Sequence, residues 1–144
     1  MSSADGPLTD LSTDGRRARP ERGRRAVVDA MLELLDEGMI DPGAQPIAER
    51  AGVSVRSVFR YFEDLDALAA AAVERQIERV GHLYEPPARD GSQVERVEAI
   101  VAQRRRLYEA IAPVRRHAMH RGYTQPSIRA GLEQAGAVLR SQVA

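Results

Sequence analysis

From Arg24 onward the apolar residues return every three or four positions, the spacing that gathers side chains on one face of an α-helix. Val27, Met31, Leu34 and Leu35 form the first stripe, and Gly38 offers a left-handed stop behind it. Leu65, Leu68, Ala72, Val73, Ile77 and Val80 sustain a longer one that ends near 81–84. Cues for strands are scarce, since aromatic residues make up 4% of the chain and Ala, Leu, Arg and Glu dominate the repeat. The pattern therefore predicts an all-α fold.

A chain of 144 residues can bury one well-packed core or two small ones without covalent staples. It has no cysteine, which excludes disulfides and thiolate metal sites and fits a cytoplasmic location. No apolar run approaches the roughly 18 residues of a membrane span, and the first twenty residues hold no apolar export core, so Arg16–Arg17 is no export signal. No membrane partner is expected.

Three stretches follow from composition. Residues 1–20 are rich in Ser, Asp, Gly and Pro and read as a disordered tail ending in an arginine run. Residues 21–84 hold the first helix, from Arg24, then two short ones and the long one. Pro46 suits only a first turn, so the second helix covers about Gln45 to Ala51. Ser54 is a good N-cap for a third, Val55 to about Phe62, and Asp64 for the fourth.

Residues 85–144 follow a boundary at Pro86-Pro87 and Asp90-Gly91. Ser92-Gln93-Val94-Glu95 matches a capping box and opens a helix whose apolar face is Val94, Val97, Val101, Leu107 and Ile111. Pro113 is expected to break or kink it before a short helix ending at Gly122. A last helix, from about Pro126, carries Ile128, Leu132, Val138, Leu139 and Val143. It has no stop signal, so this part reads as a partial helical region.

Formal net charge is zero, which by itself argues against a nucleic-acid partner. The distribution argues otherwise. Between Arg16 and Arg25 stand six arginines and one acid, Glu21, while Glu63, Asp64 and Asp66 cluster after the third helix. That arginine run is either a solvated tail or an arm that tracks phosphates or the minor groove. All 21 basic residues are arginine, a bias that weakens any single one as a sign of bidentate recognition.

The feature with functional content is the pair of short helices around a three-residue turn holding Gly52, as a helix-turn-helix requires. Ile47, Ala48, Val53, Val58 and Phe62 can pack the pair, leaving Val55, Arg56, Ser57, Phe59, Arg60 and Tyr61 on other faces. Guanidinium forks suit guanine edges or phosphate, hydroxyls suit phosphate, and apolar groups suit a thymine methyl.

The string IAERAGVSVRSVFRYFEDLDAL, with a helix before it and a long helix after it, resembles the N-terminal domain of the TetR/AcrR family of bacterial regulators. The resemblance covers Arg24 to about Arg79; beyond Glu85 only the succession of helices is similar. It implies a three-helix helix-turn-helix DNA-binding domain, joined by the long helix to a helical C-terminal domain, here expected to be truncated, that dimerises and binds a small-molecule effector. Its homodimer would set two reading helices into successive major grooves of a double-stranded DNA operator. Matched by position, Val55, Arg56, Phe59 and Arg60 would face base edges and Ser57 and Tyr61 phosphates, with Ser54 counted in the same DNA-binding set. Phe59 stands where the family usually has tyrosine, Leu65 where it usually has lysine, and Arg56 where glycine is frequent.

The implied function is a transcriptional repressor released by its effector. The alternative is a helical small-molecule-binding or interaction module that has lost DNA binding. His117 and His120 share a helical face but lack a third ligand beside them, so no metal is expected. No Gly-rich phosphate loop, nucleophile with its base or matched carboxylates suggests an enzyme, and no cofactor is implied.

Overall fold

The computed structural model describes residues 11–122 and 126–141, which form helices α1 (Leu11–Asp36), α2 (Ala44–Ala51), α3 (Val55–Tyr61), α4 (Leu65–Val80), α5 (Gln93–Gly122) and α6 (Pro126–Ser141). A 3₁₀ turn, Gly81–Tyr84, prolongs α4. No strand occurs among the described residues, and the expected all-α fold is borne out.

Helix α1 is the spine of the core. Val27, Met31, Leu34 and Leu35 are buried as the periodicity requires, together with Val28 and Leu32. Each such aliphatic side chain, fully buried, contributes roughly 1.5–3 kcal/mol relative to exposure. The helix closes on Gly38 at φ +100°, where the amide of Gly38 donates to the Leu35 carbonyl and that of Met39 to the Leu34 carbonyl, both at 3.0 Å.

Its start corrects an expectation. The supposed tail is helical from Leu11, with Pro20 inside the helix, while Met1 to Asp10 lie outside the described residues. Once α1 is anchored by its core face, each further residue adds a hydrogen bond at little cost, and arginine is a good helix former; Pro20 removes one bond without ending the run.

Ile47 and Ala48 of α2, Val58 and Phe62 around α3, and Leu68, Ala69 and Ala72 of α4 complete this core with α1. Helix α5 joins it through Val114 and forms a smaller cluster of its own, where Leu107 meets Val80. At the start of α5 the capping box is closed both ways: the Ser92 amide donates to Glu95 Oε2 at 2.7 Å and the Glu95 amide to Ser92 Oγ at 3.3 Å.

Two expectations are corrected on α5: a break at Pro113 with a separate helix after it, and a single apolar face. The helix runs unbroken through Pro113 to Gly122, because buried residues on both sides of the proline, Leu107 before it and Val114, His117 and Ala118 after it, hold both halves. Gln76 of α4 supports that stretch by donating from Nε2 to the Ala110 carbonyl at 2.8 Å. The expected apolar face is also split: Leu107 is buried, but Val94, Val97 and Val101 are 67%, 54% and 61% exposed. The first turns of α5 lie ahead of its packing against α4. Helix α6 packs on α5. Of its expected stripe, Val138 is exposed, Val143 lies outside the described residues, and so do the side chains of Ile128, Leu132 and Leu139.

Candidate DNA-reading surface

The turn between α2 and α3 is built by backbone chemistry. Gly52 adopts φ +68° and ψ 32°, and its amide reaches the carbonyls of Ala48 and Glu49. The next amide, Val53, also donates to Ala48, at 3.0 Å, so the freed carbonyls at the end of α2 are satisfied while the chain reverses. Two residues later Ser54 caps α3, its hydroxyl accepting from the Ser57 amide at 3.1 Å.

A seven-residue helix, Val55–Tyr61, could not hold itself in water; it is fixed because Val58 is fully buried and Phe62, just past its end, is 4% exposed. These two positions define the inner face. Helical spacing then places Val55, Phe59, Arg56 and Arg60 on one continuous outer arc, with Ser57 and Tyr61 at its edge. Arg56 and Arg60 are exposed, Phe59 is 47% exposed, and Val55, Ser57 and Tyr61 are half-buried. All seven expected residues, Ser54 included, thus sit on or beside one short helix. Apolar groups beside two guanidinium groups can meet a base edge or methyl and its neighbouring phosphates.

Tyr61 does more than face outward. Its ring packs toward the core, its hydroxyl accepts from Arg60 Nη2 at 3.2 Å, and it lies against Gly23 of α1 so closely that a methyl group there would collide with the hydroxyl. Beside it, the Arg24 guanidinium sits 4.6 Å from the centre of the Phe62 ring. Sequence reasoning missed both contacts. The available signal was a glycine inside a helical pattern, which is unfavourable unless something needs the space.

The acidic cluster after α3 is largely absorbed by structure. Asp64 caps α4, accepting from the Ala67 amide at 2.7 Å, and Asp66 pairs with Arg121 near the end of α5. Leu65 packs against the core. The histidine pair is divided: His117 is 1% exposed and bonds the Ile40 carbonyl from Nδ1 at 2.8 Å, whereas His120 is exposed. Asp41, which lies between them, is bound by Arg121 at 3.0 Å, so a guanidinium already occupies the place a cation would take.

The fold and this surface define an all-helical protein with a helix-turn-helix near its start. The chain is similar to the HTH-type transcriptional repressor KstR of Rhodococcus jostii (strain RHA1), at 30% identity over 134 residues, 90% of this chain. It spans 60% of the length of that curated relative. No family model matches the chain, and no solved structure matches it significantly. Among the described residues no helix is long and apolar enough to cross a membrane.

Proposed function

We propose that this chain is a sequence-specific DNA-binding transcriptional repressor of the TetR/AcrR kind. The observation that carries the reading is the outer arc of Val55, Arg56, Phe59 and Arg60, held on α3 by the Gly52 turn and the Ser54 cap, in a chain similar to a helix-turn-helix repressor. In this reading Val55, Arg56, Phe59 and Arg60 meet base edges in a major groove, and Ser54, Ser57 and Tyr61 lie over phosphates. Residues 21–84 bind DNA and residues 85–144 belong to an effector and dimerisation region. The protein acts in the cytoplasm as a homodimer on a partly palindromic operator, and a small-molecule effector releases it by favouring a non-binding conformation.

Selection of duplexes from a randomised pool by the purified chain, followed by anisotropy titration, tests this. A recovered consensus is expected, and Arg60→Ala should lose roughly 1–3 kcal/mol on it, with relaxed preference at one position. Failure to enrich any sequence, or an equal loss for Arg60→Ala on consensus and random DNA, rejects the assignment. Binding of a small molecule without any DNA binding would instead favour an interaction module.

A further inference from the structure

Helix α1 is divided by charge. Between Arg16 and Arg25 it carries six arginines and one acid; from Ala26 to Asp36 it carries Asp29, Glu33 and Asp36 and no base, and Glu37 follows. The acids are answered from other helices, Asp29 by Arg75 of α4 at 3.3 Å and Glu33 and Glu37 by Arg50 of α2 at 3.4 and 2.7 Å. Arg17, Arg19, Arg22 and Arg25 are exposed, and none has an ion pair among the described residues.

This arrangement is unfavourable for the protein alone. Arg19, Arg22 and Arg25 repeat at three-residue intervals, where like charges repel. A polyanion relieves this repulsion. The stretch has too few apolar residues, Leu11 and Ala18, to lie in a lipid interface.

Position decides which polyanion. The basic stretch leaves the core where Gly23 touches Tyr61 and Arg24 covers Phe62, beside the end of α3. Arg17 and Arg25 are eight residues apart, about 12 Å along a helix; over that length Arg19, Arg22 and Arg25 share one side of α1 and Arg17 stands on another. The start of α4, Asp64-Leu65-Asp66, presents no cation to complement it.

We propose that the helical segment Leu11–Arg25 is a second DNA-binding element, in which Arg17, Arg19, Arg22 and Arg25 grip backbone phosphates flanking the site read by α3. It adds affinity without base preference. The inference rests on the reading that α3 binds DNA.

The test uses the full chain, its selected duplex and a random duplex of equal length, titrated across a range of salt concentrations. Wild-type binding to the selected duplex checks the underlying reading, and its absence overturns both. With Arg17→Gln, Arg19→Gln, Arg22→Gln and Arg25→Gln combined, affinity is expected to fall at least about tenfold on both duplexes alike. The log–log salt slope should shrink by about 0.9 for each phosphate that is no longer neutralised. Replacing the same four by Lys should keep the slope. A Gln variant with unaltered circular dichroism that retains wild-type affinity and slope overturns the arm while leaving α3 as the reader. So does a Lys variant that loses as much as the Gln variant.

Discussion

Two glycines show how differently one residue type can be used. Gly52 has φ +68°, and nothing lies within 4 Å of where a Cβ would stand, so a side chain there meets backbone strain rather than a clash. Gly52→Val is expected to lose about 1–3 kcal/mol in urea unfolding and to misplace α3, while Gly52→Asn, which tolerates the left-handed region, loses much less. Equal stability of the valine variant and wild type would show that the turn does not depend on this conformation. Gly23 is the reverse case, lying within α1 and needed only because Tyr61 occupies the space of a side chain. Gly52 was legible in the sequence because turn chemistry is local. Gly23 was not, because its reason lies 38 positions away in the chain, at Tyr61.

At the level of elements, the same division separates what could be read from what could not. The caps at Ser54, Asp64 and Ser92 were legible, since each involves a hydroxyl or carboxylate and an amide three residues on. The beginning of α1 and the passage of α5 through Pro113 were not, because anchoring elsewhere on each helix outweighs a local breaker. Helix α3 was found within one residue at its end, although which of its side chains also brace α1 was not. Pro113 leaves the Glu109 carbonyl without its intrahelical donor, and proline in a helix interior is about 3 kcal/mol less favourable than alanine. Pro113→Ala is therefore expected to raise the melting temperature, with a gain bounded by that figure. A fall would show that Leu107 and Val114 reach their two clusters only through the local geometry that proline imposes.

Across the whole molecule, the last turns of α5 are tied to the corner between α1 and α2. His117 Nδ1 donates to the Ile40 carbonyl, which fixes the neutral tautomer and leaves Nε2 buried with no hydrogen-bond partner among the described residues. Arg121 binds Asp41 of that corner and Asp66 of α4, and His120 lies at the exposed edge, 4.0 Å from Asp41. Burial pushes the His117 imidazole below its ordinary value; the Ile40 carbonyl opposes this, Arg121 adds to it, and the weaker effects of Asp41 and His120 oppose each other. Because the folded-state value is depressed, the unfolded chain takes up the proton first as pH falls. The stability tied to neutral His117 is thus fully present above the ordinary histidine range, near 6.5, and is lost as pH falls from there toward the folded value. One proton limits the slope to about 1.4 kcal/mol per pH unit. Urea unfolding at intervals from pH 8 to 5.5 should show wild-type stability declining below about 6.5, and His117→Gln, which cannot titrate, should flatten that decline whatever its own stability at pH 8. Exchange of the amides at 39–41 should quicken over the same interval in the wild type. Parallel pH profiles for the two proteins would mean that the acid sensitivity arises elsewhere and that this corner is held by Arg121 and its two carboxylates alone.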